Sequence, residues 1–248
     1  MNFITLTTEN LPAEHICCAI SKADDCQIAS KKAWLSERLQ EGLVFLKADV
    51  RGKCFIEYIP AEYAWAPIEA PGYMYIDCLW VSGQLKGQGY STRLLEECIR
   101  DSRDKGKEGL VILTSDKKRS FLADRKFLLH KGFRPADKLA PYFELFYLPF
   151  HEEAILPQFK RNAFTETEDG FILYYTRQCP FTAKYVPILE NYAKEKQIPF
   201  RSILIDTCEK AQRAPIPFTT FALFYKGNFV THEIVSINKF EKIIQELL

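Results

Sequence analysis

The stretch Ile76-Asp77-Cys78-Leu79-Trp80-Val81-Ser82-Gly83-Gln84-Leu85-Lys86-Gly87-Gln88-Gly89-Tyr90-Ser91-Thr92-Arg93-Leu94-Leu95 decides how the chain is read. The apolar run from Tyr73 to Val81 predicts a long strand, and Leu94, Leu95, Cys98 and Ile99 share one face of a helix running from about Ser91 to Asp104. The glycines between them let successive backbone N–H groups converge on one point, and the start of the helix adds partial positive charge. Such a nest suits a pyrophosphate. The bland alternative is an ordinary tight β-to-α turn with no ligand.

Upstream of this stretch, Phe3 to Leu6 predicts a short strand and Ile28 to Leu39 a helix, with Ala29, Ala33 and Leu39 at helical spacing. Leu43 to Val50 and Cys54 to Ile59 form a hairpin about Arg51-Gly52-Lys53. Downstream, Gly109 to Thr114 predicts a buried strand. Phe121, Phe127 and Leu128 mark a helix ended by Lys131-Gly132, and Tyr142 to Phe150 a closing strand. Residues 151–169, with His151-Glu152-Glu153, Pro157 and the polar run Thr165 to Gly170, read as a linker with little core of its own. A new pattern follows: strand Phe171–Thr176, helix Pro180–Lys196, strand Pro199–Ile205, strands Thr219–Tyr225 and Phe229–Ile234, and helix Ile237–Leu248. The chain therefore divides into an α/β domain at 1–150, a linker at 151–169 and a second, small α/β domain at 170–248.

Length and composition agree with that division. The 248 residues exceed one average domain, and 47% hydrophobic with 26% charged content describes a chain able to bury cores. Net charge is +1, with 21 basic and 20 acidic residues up to position 150 and 12 of each after it. Neither half carries the excess positive charge that non-specific nucleic-acid binding needs. No apolar run approaches the ~20 residues of a membrane span, and no export signal opens the chain. The 8 cysteines are too few for a small disulfide scaffold. They read as free thiols of a cytoplasmic protein, and without a C-x-x-C pair or clustered histidines no metal site is expected.

The strand–glycine–helix stretch resembles the acyl-CoA pyrophosphate loop of the GNAT superfamily of N-acetyltransferases, Arg/Gln-x-x-Gly-x-Gly/Ala before a helix with a Leu-Leu pair. Two registers are open. Spelling starts the loop at Gln84, whereas spacing from the strand and to Leu94-Leu95 favours Lys86, with Gly87, Gly89 and Ser91 following. The order of elements over 1–150 and the segment Phe127-Leu128-Leu129-His130-Lys131-Gly132-Phe133 fit the same family. The resemblance implies an α/β (α+β) GNAT fold with acetyl-CoA as cosubstrate and no metal. Its pantetheine arm would lie along Leu79, Trp80 and Val81, and its pyrophosphate over the amides of Lys86, Gly87, Gln88, Gly89, Tyr90 and Ser91. Ser91 is small enough to cap the helix. Arg125 and the Lys117-Lys118-Arg119 run are candidates for the nucleotide phosphate, the run reading equally as a solvated face.

Transfer to an amine needs a base, donors for the oxyanion and a proton for the leaving thiolate. Many GNAT enzymes supply that proton from a tyrosine four residues before the late glycine; Leu128 stands there. Tyr142 is the replacement candidate, or else only an aromatic at a strand edge. Asp77, expected on one strand face with Tyr73, Tyr75 and Leu79, and Glu57 on the preceding strand are candidate bases or simply solvated acids. Glu62, Tyr63 and Trp65 are candidates for an acceptor wall, the aromatics by stacking or cation–π contact, or else core.

In the second half, Arg177-Gln178-Cys179-Pro180-Phe181-Thr182 places a cysteine at a helix start, where the macrodipole favours thiolate, and Pro180 suits the first helical position. This resembles the active-site start of thioredoxin-like domains, with Pro217 similar to that family's cis-proline facing the cysteine. Thr182 occupies the place of the second, resolving cysteine, so a two-cysteine cycle is unsupported. The domain pair resembles bacterial GNAT proteins with a YoaP-like C-terminal region. Acetyl transfer to an amine of a small molecule or peptide is the expected function. The alternative is a thiol-redox or thiol-binding protein using Cys179, with the first domain as an acyl-CoA sensor.

Overall fold

The computed structural model describes residues 2–18, 25–162 and 169–247. In chain order the elements begin with β1 (Phe3–Thr5), α1 (Cys26–Arg38), β2 (Val44–Ala48), β3 (Cys54–Pro60), β4 (Ile68–Glu69), β5 (Tyr73–Val81) and α2 (Tyr90–Asp104). Next come β6 (Gly109–Ser115), α3 (Arg125–His130), β7 (Arg134–Leu139), β8 (Phe143–Pro149) and β9 (Gln158–Phe159). The last are β10 (Phe171–Tyr175), α4 (Pro180–Glu195), β11 (Phe200–Leu204), α5 (Cys208–Gln212), β12 (Phe221–Tyr225), β13 (Asn228–Thr231) and α6 (Ile237–Leu247).

Two main sheets result. The first has seven strands in the order β1-β2-β3-β5-β6-β8-β7, with β5 and β6 its one parallel pair. The second has four strands in the order β11-β10-β12-β13, with β10 and β11 parallel and the rest antiparallel. On one face of the large sheet, Leu94, Leu95 and Cys98 of α2 pack on Ile56, Met74, Ile76 and Leu110. On the other face, Trp34 and Leu35 of α1 join Phe45, Phe55, Tyr73 and Phe143 in a cluster that runs on into Ile172, Ile205, Ala222 and Phe224 of the small sheet. The two sheets thus share one hydrophobic core.

The long strand is interrupted at a point no local pattern marks. Glu57 pairs with Cys78 but Tyr58 pairs with Ile76, so Asp77 is an extra residue in the β3–β5 ladder. A bulge of this kind shifts the alternation of faces by one. Tyr73 and Tyr75 before it share a face with Cys78 and Trp80 after it, while Leu79 and Val81 turn to the α2 side. The expected grouping of Leu79 with Asp77, Tyr73 and Tyr75 is therefore corrected.

Other departures have local causes. The helix expected from Phe121 starts at Arg125, because Asp124 caps it by accepting from Lys126 and Phe127 N–H. Phe121 sits in the preceding loop at φ 66°. Strand β7, with its polar Arg-Pro-Ala-Asp-Lys, and the short α5 carry no periodic signal in sequence. Part of the expected linker is strapped down: β9 pairs with β4, Phe159 is buried, and Arg161 forms an ion pair with Asp137. Most of the run Thr165 to Gly170 lies outside the described residues.

Candidate active site

Strands β5 and β6 pair from Tyr73↔Gly109 to Ile76↔Ile112 and then part. Beyond Ile76 the β6-facing edge of β5 has no partner strand among the described residues, and Leu79–Val81 lead along that open edge into the glycine turn. Gly83, Gly87 and Gly89 adopt φ of 65°, 81° and 80°, the left-handed region that favours glycine. Gly89 caps α2 with no side-chain hydrogen bond, and no acid stands in the first helical turn. The N-terminal N–H groups of α2 are thus left for an anion. A pyrophosphate fits this turn. A side chain grafted onto Gly87 or Gly89 would meet nothing within 4 Å, so the space over the loop is open.

The residues expected at this loop divide. Lys86, Gly87, Gln88 and Gly89 are exposed, with Gln88 donating to the Gln84 carbonyl at 2.6 Å. Tyr90 instead buries its ring in the α2 core and can offer only its backbone, and Ser91 lies inside the helix, where the cap is Gly89. Arg125 Nε is bonded to Glu144 at 2.7 Å. Lys117 and Lys118 are exposed, and Arg119 lies over the Tyr142 ring, 3.6 Å from its centroid.

A cavity of about 400 Å³ opens where β5 and β6 part. Its floor is Phe55 and Glu57 of β3, Tyr75 to Trp80 of β5, and Leu113 of β6. The loop Ser120–Ala123 forms one side, with Phe121 at 45% exposure marking the mouth. The roof belongs to the second sheet's module: Gln178, Cys179, Pro180, Phe181, Phe218 and Thr220. Lys31 of α1 reaches in from the side, its Nζ 2.8 and 2.6 Å from the two oxygens of Glu57. Both members of that pair are 1% exposed.

Asp77, re-aimed by the bulge, faces the cavity and accepts from Gln178 Nε2 at 2.9 Å. Gln178 Oε1 in turn accepts from the Thr220 hydroxyl at 3.2 Å, which fixes the orientation of the amide. Burial, and then the charge of Glu57, hold the Asp77 carboxyl well above the ordinary carboxylate range, against the opposing pull of Lys31 and Gln178. The arrangement sets a carboxyl that holds its proton more strongly than an ordinary one beside a buried ion pair.

Glu57 and Asp77 are thus brought together, and Cys179 with them. The rest of the expected catalytic and acceptor set is not. Tyr142 Oη lies 2.6 Å from His232 Nδ1, and His232 Nε2 lies 2.8 Å from the Ser120 carbonyl. A carbonyl only accepts, so Nε2 carries the proton and the Tyr142 hydroxyl is committed to donating to Nδ1. Glu62 accepts from Gly72 N–H on the surface, and Tyr63 is exposed. Trp65 is core, edge-on to Trp34 at 4.3 Å with Arg38 lying over it. The backbone of this loop holds the second module, since Trp65 O accepts from Thr219 and Ala64 O from Cys208 and Gln212.

Two expectations around Cys179 are corrected. Among the described residues the only cis peptide is Ala140–Pro141, so Pro217 follows a trans bond. Nor is the thiol activated. Burial pushes it up to about 11, outweighing the Phe181 N–H at the helix start. Thr182 donates to the Thr176 and Cys179 carbonyls, closing the turn. Alkylation of Cys179 by iodoacetamide, followed by peptide mass spectrometry, is expected to be slow at pH 7 and to rise about tenfold per pH unit towards pH 11. A plateau reached below pH 8 would contradict this environment.

Lys31 was missed, although the signal was present: it follows Ile28 by three residues and precedes Leu35 by four, on the apolar face of α1. Gln178 had no such signal, because its partner Asp77 lies 101 residues away.

Sequence comparisons identify this architecture. The Acetyltransferase (GNAT) family profile matches residues 9–127, and the YoaP-like profile residues 199–242. Over 250 aligned residues, covering 100% of both chains, the protein is 44% identical to the uncharacterized N-acetyltransferase YoaP of Bacillus subtilis (strain 168). The chain belongs to the YoaP-like GNAT acetyltransferases. Its GNAT fold is the seven-stranded sheet with α1, α2 and α3, and it is an N-acetyltransferase. Among solved structures, it is similar to the PaiA N-acetyltransferase of Thermoplasma acidophilum, solved with coenzyme A (15% identity, TM-score 0.43, 60% of this chain and 100% of that one). It is also similar to a GNAT acetyltransferase of Staphylococcus aureus Mu50 (16% identity, TM-score 0.42, 60% and 99%).

Proposed function

We propose that the protein transfers the acetyl group of acetyl-CoA to an amine, with residues 1–150 as the transferase domain, 151–169 as a connecting segment and 170–248 as a thioredoxin-like domain that closes the reaction chamber. One observation carries this reading: the open edge of β5, starting at the cavity beside Asp77, leads at Val81 into the glycine turn whose Gly89 begins α2 with no side-chain cap. The bound thioester supplies the acetyl group and the thiolate leaving group. The backbone of Leu79 to Val81 holds its arm as an added strand would be held, and the amides from Lys86 to Ser91 hold its phosphates. Asp77 takes the proton of the incoming ammonium; burial first, and then the Glu57 charge, raise its proton affinity above that of an ordinary carboxylate, against the pull of Lys31 and Gln178.

The order of strands in the small sheet, a β–α–β unit followed by an antiparallel hairpin and a helix, supports the thioredoxin-like reading. All eight cysteines are unbridged, which suits a cytoplasmic protein. No helix among the described residues is long and apolar enough to cross a membrane.

Calorimetric titration with acetyl-CoA tests the reading. Micromolar binding is expected for the wild type. Gly89→Trp imposes a side chain on a φ of 80° over the open loop; it is expected to weaken binding by more than about tenfold while lowering the melting temperature by only about 2–8 °C, the cost of backbone strain at one residue. Equal affinity in the two proteins would remove the loop from the cosubstrate site.

A further inference from the structure

We infer that the acceptor is a small primary amine with an aromatic or apolar body and no carboxylate, held in the cavity that the two modules build together. The inference rests on the acetyl-CoA reading above and adds the acceptor class to it.

Charge defines the class first. Lys31, Glu57 and Asp77 are the only acidic or basic side chains lining the cavity among the described residues. Lys31 has no charge to offer, because its ammonium is shared by both Glu57 oxygens and sealed from water. Lys53 lies outside the lining, over the rings of Trp80 and Phe181 at 4.5 and 5.8 Å, and its carbonyl accepts from Ser82 N–H where the phosphate turn begins. It therefore belongs to the cosubstrate end. Asp77 is the acid left to pair with an incoming ammonium, and no free cation lines the chamber to pair with a second carboxylate. Burying an unpaired carboxylate is strongly unfavourable, so a free α-amino acid is excluded where the corresponding amine is admitted.

Shape and polarity narrow it further. About 400 Å³ lies near the lower end of the ~300–1,000 Å³ usual for small-molecule pockets, and it must hold the acetyl end of the cosubstrate as well. A peptide does not pass under a roof of Gln178, Phe181 and Phe218. Tyr75, Trp80, Phe121, Phe181 and Phe218 turn aromatic surface inward, suited to a ring or alkyl body and to the ammonium itself. Phe121 is a bulky residue held at φ 66° at the mouth, a strained conformation of the sort found at ligand clamps. The reaction balances with the groups present. Asp77 carboxylate removes one proton from the ammonium, the freed nitrogen forms the amide bond to the acetyl carbon as the C–S bond breaks, the second nitrogen proton leaves with the CoA thiol, and Asp77 returns its proton to water.

The test uses the full-length protein and measures CoA release with 2-phenylethylamine and tryptamine, against phenylalanine, tryptophan and a tripeptide with a free N-terminus. Binding of acetyl-CoA is measured first on the same preparation. We expect kcat/KM for each arylalkylamine to exceed that of its amino acid by at least about 100-fold, and the tripeptide to be inert. Comparable rates for amine and amino acid, or turnover of the tripeptide alone, would overturn the inference. So would acetyl-CoA binding without turnover of either arylalkylamine, which leaves the transferase reading standing. Failure to bind acetyl-CoA at all would instead strike the reading beneath it.

Discussion

Asp77→Asn lowers kcat by about 10²–10⁴-fold while leaving acetyl-CoA affinity within about threefold. The amide oxygen of asparagine still accepts from Gln178 Nε2, so the variant keeps the hydrogen bond that orients the residue and loses only the capacity to take a proton. The pH profile separates this from a folding defect. A base works when ionised, so the wild-type rate rises as pH rises through the elevated Asp77 value, well above the ordinary carboxylate range. That limb disappears in Asp77→Asn. In Gln178→Ala it moves to higher pH, because the Gln178 donor is one of the two influences holding the carboxyl down. A variant with unchanged kcat, or one that keeps the limb, would assign the proton transfer to another group.

Lys31→Met destabilises the protein by about 3–5 kcal/mol, because it strands the Glu57 carboxylate in an interior from which water is excluded. For a chain of this size that is a fall of roughly 6–20 °C in melting temperature. Neutralising both members in Lys31→Met with Glu57→Gln recovers most of the loss, since the cost comes from the orphaned charge more than from the missing attraction. Thermal melts of the wild type, the single and the double variant decide it. If the double variant melts no higher than the single one, the pair is not acting as a buried ion pair.

The parts of the molecule that could be read from sequence are those whose signals are local. The strand from Tyr73 to Val81, the glycine turn and the apolar stripe of α2 each lie within one short window, and together they pointed to the loop and to the family. The second sheet's strands and its two long helices were legible for the same reason. The reaction chamber was only half legible. Glu57 and Asp77 stood out as acids on apolar strands, but the bulge that turns Asp77 inward depends on pairing with β3, which no pattern within β5 records. Tyr142 reads in sequence as a candidate acid or a strand-edge aromatic and Trp65 as an acceptor wall or core, and tertiary neighbours decide both: His232 takes the hydroxyl of one, Trp34 and Arg38 the ring of the other. The cysteine at the start of α4 carries the local marks of an activated thiol, and the roof it helps to form removes the solvent that activation needs.

The common core beneath the two sheets divides the labour within the C-terminal module. Ile172, Ile205, Ala222 and Phe224 are bound to the partner sheet, and their sizes are fixed by what they pack against. Gln178, Phe181, Phe218 and Thr220 instead line the chamber, held by fewer contacts: Gln178 to Asp77 and Thr220, Phe218 against His232, and Phe181 beneath Lys53. If the module roofs the acceptor site as proposed, specificity is expected to travel with it. Exchanging the C-terminal module between relatives that keep the inward-packing set is then expected to change which acceptor is used and to leave acetyl-CoA affinity, carried by the turn at Gly87 and Gly89, unaltered.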